Sequence, residues 1–263
     1  MIHVLQSGLR LLPQDDGKVI QVSPRAVNIL FGGRVITLLT SNGILTPSSI
    51  ILNVEHIPTI SRARFSEENL LTDIFEVKME NKIDLKLNLK GVVDSNVLIT
   101  FLRPYIVPRN RSIMTAVILA EKSNGILLPD GFETEVIKEE ARRIEKYDKI
   151  EDLTKNILGL GFGLTPSGDD FILGVVAAMK LLGMETESIR PIVMSYDNLL
   201  SRTSLLDGLD GYFSRPLLGL IDAILVGRDV ESSIVKLEGI GHTSGFDVVA
   251  GMYHGAKLMR DYI

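Results

Sequence analysis

The 263-residue chain contains no cysteine. That absence removes disulfides, thiolate nucleophiles, cysteine-ligated zinc and iron–sulfur clusters together. Four histidines leave few candidates for a histidine-built metal site. Long apolar runs are missing as well. The longest, Phe171 to Met179, falls far short of the roughly 20 residues a bilayer-spanning helix needs. Basic charge is in the minority: 28 Lys and Arg against 33 Asp and Glu give a formal charge of −5. Nothing in that balance advertises nucleic acid or an anionic membrane as a partner. The opening "MIHVLQSGLRLLPQDD" lacks the basic start, apolar core and small-residue cleavage site of a signal peptide. A soluble, cytoplasmic protein is expected.

What is present is ordinary globular composition, 45% hydrophobic and 23% charged. The first hundred residues read as strands. "AVNILF" and "RVITLL" flank Gly32-Gly33, a two-residue hairpin signal because both turn positions tolerate positive φ. "KVIQVS", "SSIILNV", "IFEVKM" and "IDLKLNL" add short Ile/Val-rich runs, with "ENK" read as the turn between the last two. Residues 1–105 therefore read as mostly antiparallel β-structure. After "RPYIVPRNR" the period becomes helical, in "SIMTAVILAEK" and "ETEVIKEEARRIEKYD", with a loop "SNGILLPDGF" between them. Further helices are expected near 151–158, 166–182, 187–206, 213–226, 230–237 and 244–262. The fold class is α+β, a β-rich domain over 1–110 and an α-helical domain over 111–263 carrying the site.

The helical half holds a repeated pattern. "SGDDFILG" at Ser167–Gly174 aligns without gaps to "SGFDVVAG" at Ser244–Gly251, every shared position 77 residues apart (244 − 167). Each copy follows a Gly-x-Gly and a threonine, Thr165 or Thr243. Thr165 and Pro166 suit the N-cap and first position of a helix, and Thr243 or Ser244 suits the cap of the second. Asp170 and Gly174 share a helix face, as do Asp247 and Gly251. Two readings are open from the residues alone. Either the aspartates satisfy helix starts while the glycines let two helices cross closely, or two helix N-termini converge on an anion and the carboxylates orient a substrate amide or hold a cation. Asp169, adjacent to Asp170, points to another face and suits a dipole or supporting role.

Familiar motifs fail. "GLTPSGDD" has P-loop spacing but Asp169 stands where the lysine belongs, and no G-x-S-x-G or H-E-x-x-H occurs. His242 precedes the second helix and is a candidate proton donor or carbonyl ligand; His254, on an inner helical face, reads as structural. Arg202 and Arg215 suit bidentate clamping of a carboxylate or phosphate. Arg103, Arg109 and Arg111 form a small basic cluster read as a solvated loop.

In "GLGFGLTPSGDDFILG", "RTS", "GYFSRPLLGLIDAIL" and "GHTSGFDVVAG" the sequence resembles the AllH-type family, a subunit of oxamate carbamoyltransferase. The resemblance covers most of 150–260 and extends weakly to the strand-rich half. It implies a place in allantoin nitrogen catabolism, where a multi-subunit enzyme interconverts oxalurate plus phosphate with oxamate plus carbamoyl phosphate. Carried over by motif, it implies Asp170, Asp247 and His242 as catalytic residues. Thr165, Ser167, Gly168, Asp169, Arg202, Thr203, Thr243 and Ser244 would bind substrate. The S-x-R-T-R motif of ornithine and aspartate carbamoyltransferases is absent, echoed only by "SRTS" at Ser201–Ser204. Expected partners are a small anionic substrate and companion subunits, with no nucleic acid and no membrane. No cofactor is required by the sequence, and whether a metal, such as a divalent ion, binds is left open. A non-catalytic binding or regulatory subunit for a phosphorylated or carboxylated metabolite, and an assembly subunit, stand as alternatives.

Overall fold

The computed structural model describes residues 1–8, 10, 16–66, 68–89, 91–121, 134–161 and 163–260. Two compact units divide the chain. One comprises Met1–Leu87 with Tyr212–Leu218, the other Asn88–Gly211 with Gly219–Ile263. The architecture is α+β: strands dominate the first unit and helices the second. The loop expected over 123–132 lies outside the described residues.

Among the described residues the first unit holds a nine-stranded sheet built from β1 (Val4–Gly8), β2 (Asp16–Val22), β3 (Ala26–Phe31), β4 (Arg34–Leu39), β5 (Ser49–Leu52), β6 (Arg62–Ser66), β7 (Asn69–Thr72), β8 (Glu76–Lys78) and β9 (Lys82–Ile83). Its spatial order is β8-β7-β6-β2-β3-β4-β5-β1-β9, with β4–β5 and β1–β9 parallel and the other ladders antiparallel. The Gly32-Gly33 hairpin forms as read, with φ of 52° and 85°. The central strands are the apolar ones: Val27, Ile29, Phe31, Ile36, Leu38, Ile50 and Leu52 are buried, and Phe31 packs 4.8 Å from Phe65. "ENK" does turn the chain, with Asn81 at φ 53°. It does not join a hairpin, however. β8 pairs with β7 and β9 with β1, at opposite edges of the sheet. Alternation reports which face is buried, not which partner is chosen.

The second unit contains α1 (Ser95–Leu102), α2 (Ile113–Glu121), α3 (Thr134–Lys146), α4 (Ile150–Ile157), α5 (Ser167–Leu181), α6 (Arg190–Met194), α7 (Leu199–Leu209), α9 (Val230–Glu238) and α10 (Ser244–Arg260). Between α7 and α9 runs α8 (Arg215–Val226), whose first turn counts with the strand unit. Two departures from the sequence reading have local causes. Residues 95–102, read with the strands, are helical because Asp94 caps them, its side chain accepting from Asn96 N at 2.7 Å. The single helix expected over 187–206 is broken at Ser195–Asn198. There Asn198 opens a new helix by accepting from Ser201 N at 3.2 Å.

At the centre lie α5 and α10, apolar on nearly every side and correspondingly buried. Their backbones touch. A β-carbon on Gly174 would stand 2.1 Å from Val248 O and 2.9 Å from Met252 N of α10. One on Gly251 would stand 2.0 Å from Phe171 O and 3.0 Å from Val175 N of α5. Each glycine sits against the other helix. That exchange brings the two helix starts to one end of the crossing.

Candidate functional site

The helix starts are tightly placed. Gly168, in the first turn of α5, lies so close to the end of α4 that a β-carbon would be 2.0 Å from Ile157 O. Gly245, in the first turn of α10, stands in the same relation to Leu237 O of α9, also at 2.0 Å. Only glycine permits either approach. The capping differs from the sequence reading by one residue: Pro166, not Thr165, occupies the N-cap of α5, and no side chain caps that helix. Thr165 is thereby released from capping. At α10, Thr243 is in the cap position, its carbonyl accepting from Asp247 N at 3.0 Å.

Asp247 is fully buried. Its Oδ1 accepts from Ser112 Oγ at 2.5 Å and from Ile113 N at 2.9 Å. Ile113 opens α2, so a third helix N-terminus points at this carboxylate. Oδ2, equally buried, has no hydrogen-bond partner. Burial drives the group up to about 7, against the opposing pull of the Ser112, Ser167 and Thr243 hydroxyls and Ile113 N.

Asp170 keeps some exposed surface as a residue, yet its Oδ2 is shut from solvent and also unpartnered. Burial pushes it up to about 8, and the charges of Asp247 and Asp169 push the same way. The Ser244 and Thr165 hydroxyls act against them. The arrangement is reciprocal: each aspartate is eased by the threonine of its own loop and by the serine that opens the other helix. Each of these carboxylates, of raised proton affinity, thus keeps one buried oxygen without a hydrogen bond of good geometry, although the hydroxyls of Thr165 and Ser244, or of Ser167 and Thr243, stand near enough to ease its charge. Such oxygens call for N–H or O–H donors, or a cation. Among the described residues no group of three His, Cys, Asp or Glu side chains is disposed to hold a metal.

The remaining candidates are spread more widely. Asp169 is buried and turned toward the fold: Oδ1 accepts from Gly159 N at 2.8 Å and Oδ2 from Tyr196 OH at 3.0 Å. It holds the loop that enters α5. Ser167 Oγ donates to Arg111 O at 3.2 Å. Thr203 Oγ1 donates to Leu199 O one turn back, and Arg202 Nη1 donates to Tyr196 O at 3.4 Å. His242 is exposed in the turn before α10. His254 packs 5.5 Å from Phe171, and burial lowers it to about 4. Arg215 falls in the strand-built unit, bonded to Gln6 Oε1 at 3.2 Å.

Sequence reasoning missed Ser112 and Ile113, 134 or more positions away from Asp247 along the chain. The available signal was "RNRSIMTA", a serine just ahead of an apolar helical run, which is an N-cap signature.

No helix of the described residues is long and apolar enough to cross a membrane. No solved structure matches the chain. The family resemblance carried by "GLTPSGDD" and "GHTSGFD" is shown: a family model described as oxamate carbamoyltransferase subunit AllH matches residues 157–256, from the end of α4 into α10.

Proposed function

We propose that the chain is a carbamoyltransferase subunit whose site lies at the converging starts of α5 and α10. There Asp170 and Asp247 bind the nitrogen-bearing end of a small anionic substrate. The observation that carries the reading is the pair of buried, unpartnered oxygens, Asp170 Oδ2 and Asp247 Oδ2. A primary amide offers N–H donors and a carbonyl acceptor, which a pair of acids, one charged and one protonated, can meet. The family match to an oxamate carbamoyltransferase subunit supports oxamate as that amide.

The step follows from the groups present. The amide nitrogen of oxamate attacks the carbonyl carbon of carbamoyl phosphate, forming the new C–N bond of oxalurate. The C–O bond to phosphate breaks, and phosphate leaves with the electron pair. The nitrogen's proton passes to a carboxylate and then to the departing phosphate. A base poised near neutrality is the best compromise between being unprotonated and being able to take the proton. Asp247 at about 7 and Asp170 at about 8 lie in that range. The hydroxyls of Thr165, Ser167, Thr243 and Ser244 align the reactants, and His242 stands at the rim as a further donor. Positioning of this kind supplies much of the acceleration in reactions that need little covalent work from the protein. Action within a multi-subunit enzyme of allantoin breakdown, in the cytoplasm, belongs to the same proposal.

The test is carbamoyl transfer to oxamate by the chain with its companion subunits. Asp170→Asn and Asp247→Asn should each cut kcat by about 10²-fold or more, with circular dichroism unchanged. Retention of full activity in both variants would sink the reading. Saturable binding of oxamate without turnover, even beside the companions, would make the chain a binding subunit instead.

A further inference from the structure

The arginines that lead into α2 are not absorbed by this reading, and the segment that carries them is built rather than loose. Thr115, buried in α2, fixes Arg109 from both sides. Its Oγ1 accepts from Arg109 N at 2.8 Å and donates to Arg109 O at 2.7 Å. Arg111 has φ 60°, a left-handed backbone that a β-carbon disfavours by about 1 kcal/mol. Its carbonyl accepts from Ser167 Oγ, at the start of α5. The next two residues, Ser112 and Ile113, donate to Asp247 at the start of α10. The Arg109 guanidinium stacks 4.7 Å above the ring of Phe246, the residue before Asp247. Both arginines are exposed. Arg111 is therefore tied to the start of α5 by the Ser167 hydrogen bond, and Arg109 to the start of α10 by stacking on Phe246.

Charge supplies the other half of the argument. A substrate with an amide at one end and an anion at the other meets acceptor oxygens at the aspartates, which repel the anionic end. That end needs a cation within one small molecule's length. Guanidinium suits it, because its planar fork matches a carboxylate or phosphate with two hydrogen bonds. Stacking on Phe246 also restrains Arg109 beforehand, reducing the ordering cost of binding.

We propose that Arg109 and Arg111 clamp the anionic end, carboxylate or phosphate, of the molecule whose nitrogen end meets Asp170 and Asp247. The placement of that nitrogen end rests on the function proposed above.

The test is calorimetric titration of the full chain with inorganic phosphate and with oxamate, alongside its melting temperature. Arg111→Gly removes the guanidinium but suits the left-handed backbone, so it should melt at the same temperature or higher. Phosphate and oxamate affinity should nevertheless fall about 10- to 100-fold, as for loss of one charge-assisted pair. Arg109→Gln should lose a similar factor, and Arg109→Lys, which keeps the charge without the fork, should recover part of it. Unchanged affinity in Arg109→Gln and Arg111→Gly, while Asp170→Asn loses oxamate, overturns the clamp and leaves the proposed site standing. Loss of both probes in the arginine variants, with no carbamoyl transfer by the assembled wild type, upholds the clamp and removes the proposed reaction. Failure of the wild type to bind either probe, alone or with its companions, overturns the clamp.

Discussion

Replacing Asp170 by asparagine should make the protein more stable at pH 8 while removing its activity. The folded state holds this carboxyl at about 8, against 3.8 for the free group. Folding therefore favours the protonated form, and stability is lost as pH rises from the unfolded value toward the folded one. Each unit of the interval is worth about 1.4 kcal/mol, so the whole interval of about four units bounds the effect near 5–6 kcal/mol. Not all of it can be read cleanly. His254, lowered to about 4 by burial, must be neutral in the folded state. It makes stability rise with pH up to its ordinary value of 6.5 and opposes the aspartates there. Above pH 6.5 that opposition ends. Asp247 adds its share only up to about 7. Between pH 6.5 and 8, Asp170 alone should then cost about 2 kcal/mol, at about 1.4 per unit. Urea unfolding of the wild type and Asp170→Asn at pH 6.5 and pH 8.0 measures this. The wild type should lose about 2 kcal/mol or somewhat more across the interval, Asp247 adding its share below pH 7, and the variant markedly less, as expected where a buried acid is kept at the expense of stability. If both lose the same amount, the buried carboxyl does not carry the proton assigned to it and the electrostatic account fails.

Ser112→Ala deletes one of the two donors to Asp247 Oδ1 and leaves Ile113 N. Since hydroxyl and amide favour the charged form, the loss should approach about 2 kcal/mol at pH 8 and shrink at pH 5.5, read by urea unfolding at the two values. Gly174→Ala or Gly251→Ala forces a β-carbon within 2.1 Å or 2.0 Å of a carbonyl oxygen of the facing helix. Either should cost about 3 kcal/mol or more, because both opposing atoms are backbone. Gly219→Ala in α8, where an added β-carbon meets nothing within 4 Å, should gain roughly 0.5–1 kcal/mol. Thermal melts of the three variants should show this opposite sign.

The parts of the fold legible in the sequence were those written in local chemistry. Gly32-Gly33 marked its hairpin because both turn residues need positive φ. The helices at 150–157, 167–181, 230–238 and 244–260 announced themselves by apolar period and glycine punctuation. Strand partners were not legible: "EVKM" and "IDLKL" are neighbours in the chain yet lie at opposite edges of the sheet. Nor was the break at Ser195–Asn198, since a helix period persists across a cap unless the capping asparagine is weighed against it. In the site, the shared spacing of serine, aspartate and glycine singled out the two aspartates. It could not separate crossing helices from a converging anion site; the structure shows the crossing, with the two helix starts at one end of it. The glycines serve the crossing, and the crossing brings the aspartates together.

What the spacing hid was the inequivalence of the two acids. In sequence Asp170 and Asp247 occupy the same place in matching elements. In space only Asp247 receives a third helix, through Ser112 Oγ and Ile113 N. Those donors stabilise charge on Asp247, while burial raises both acids. Of the two, Asp247 is therefore the one whose charge is supported, by Ser112 Oγ, Ile113 N and the start of α2. In the site proposed above, with one acid charged and the other protonated, a primary amide would fit in one orientation only: its N–H donates to the charged oxygen and its carbonyl accepts from the protonated one. Two equal acids would leave that orientation undetermined. The segment Arg109–Ile113 sets it, so the residues that distinguish the acids are continuous with those proposed to hold the anionic end.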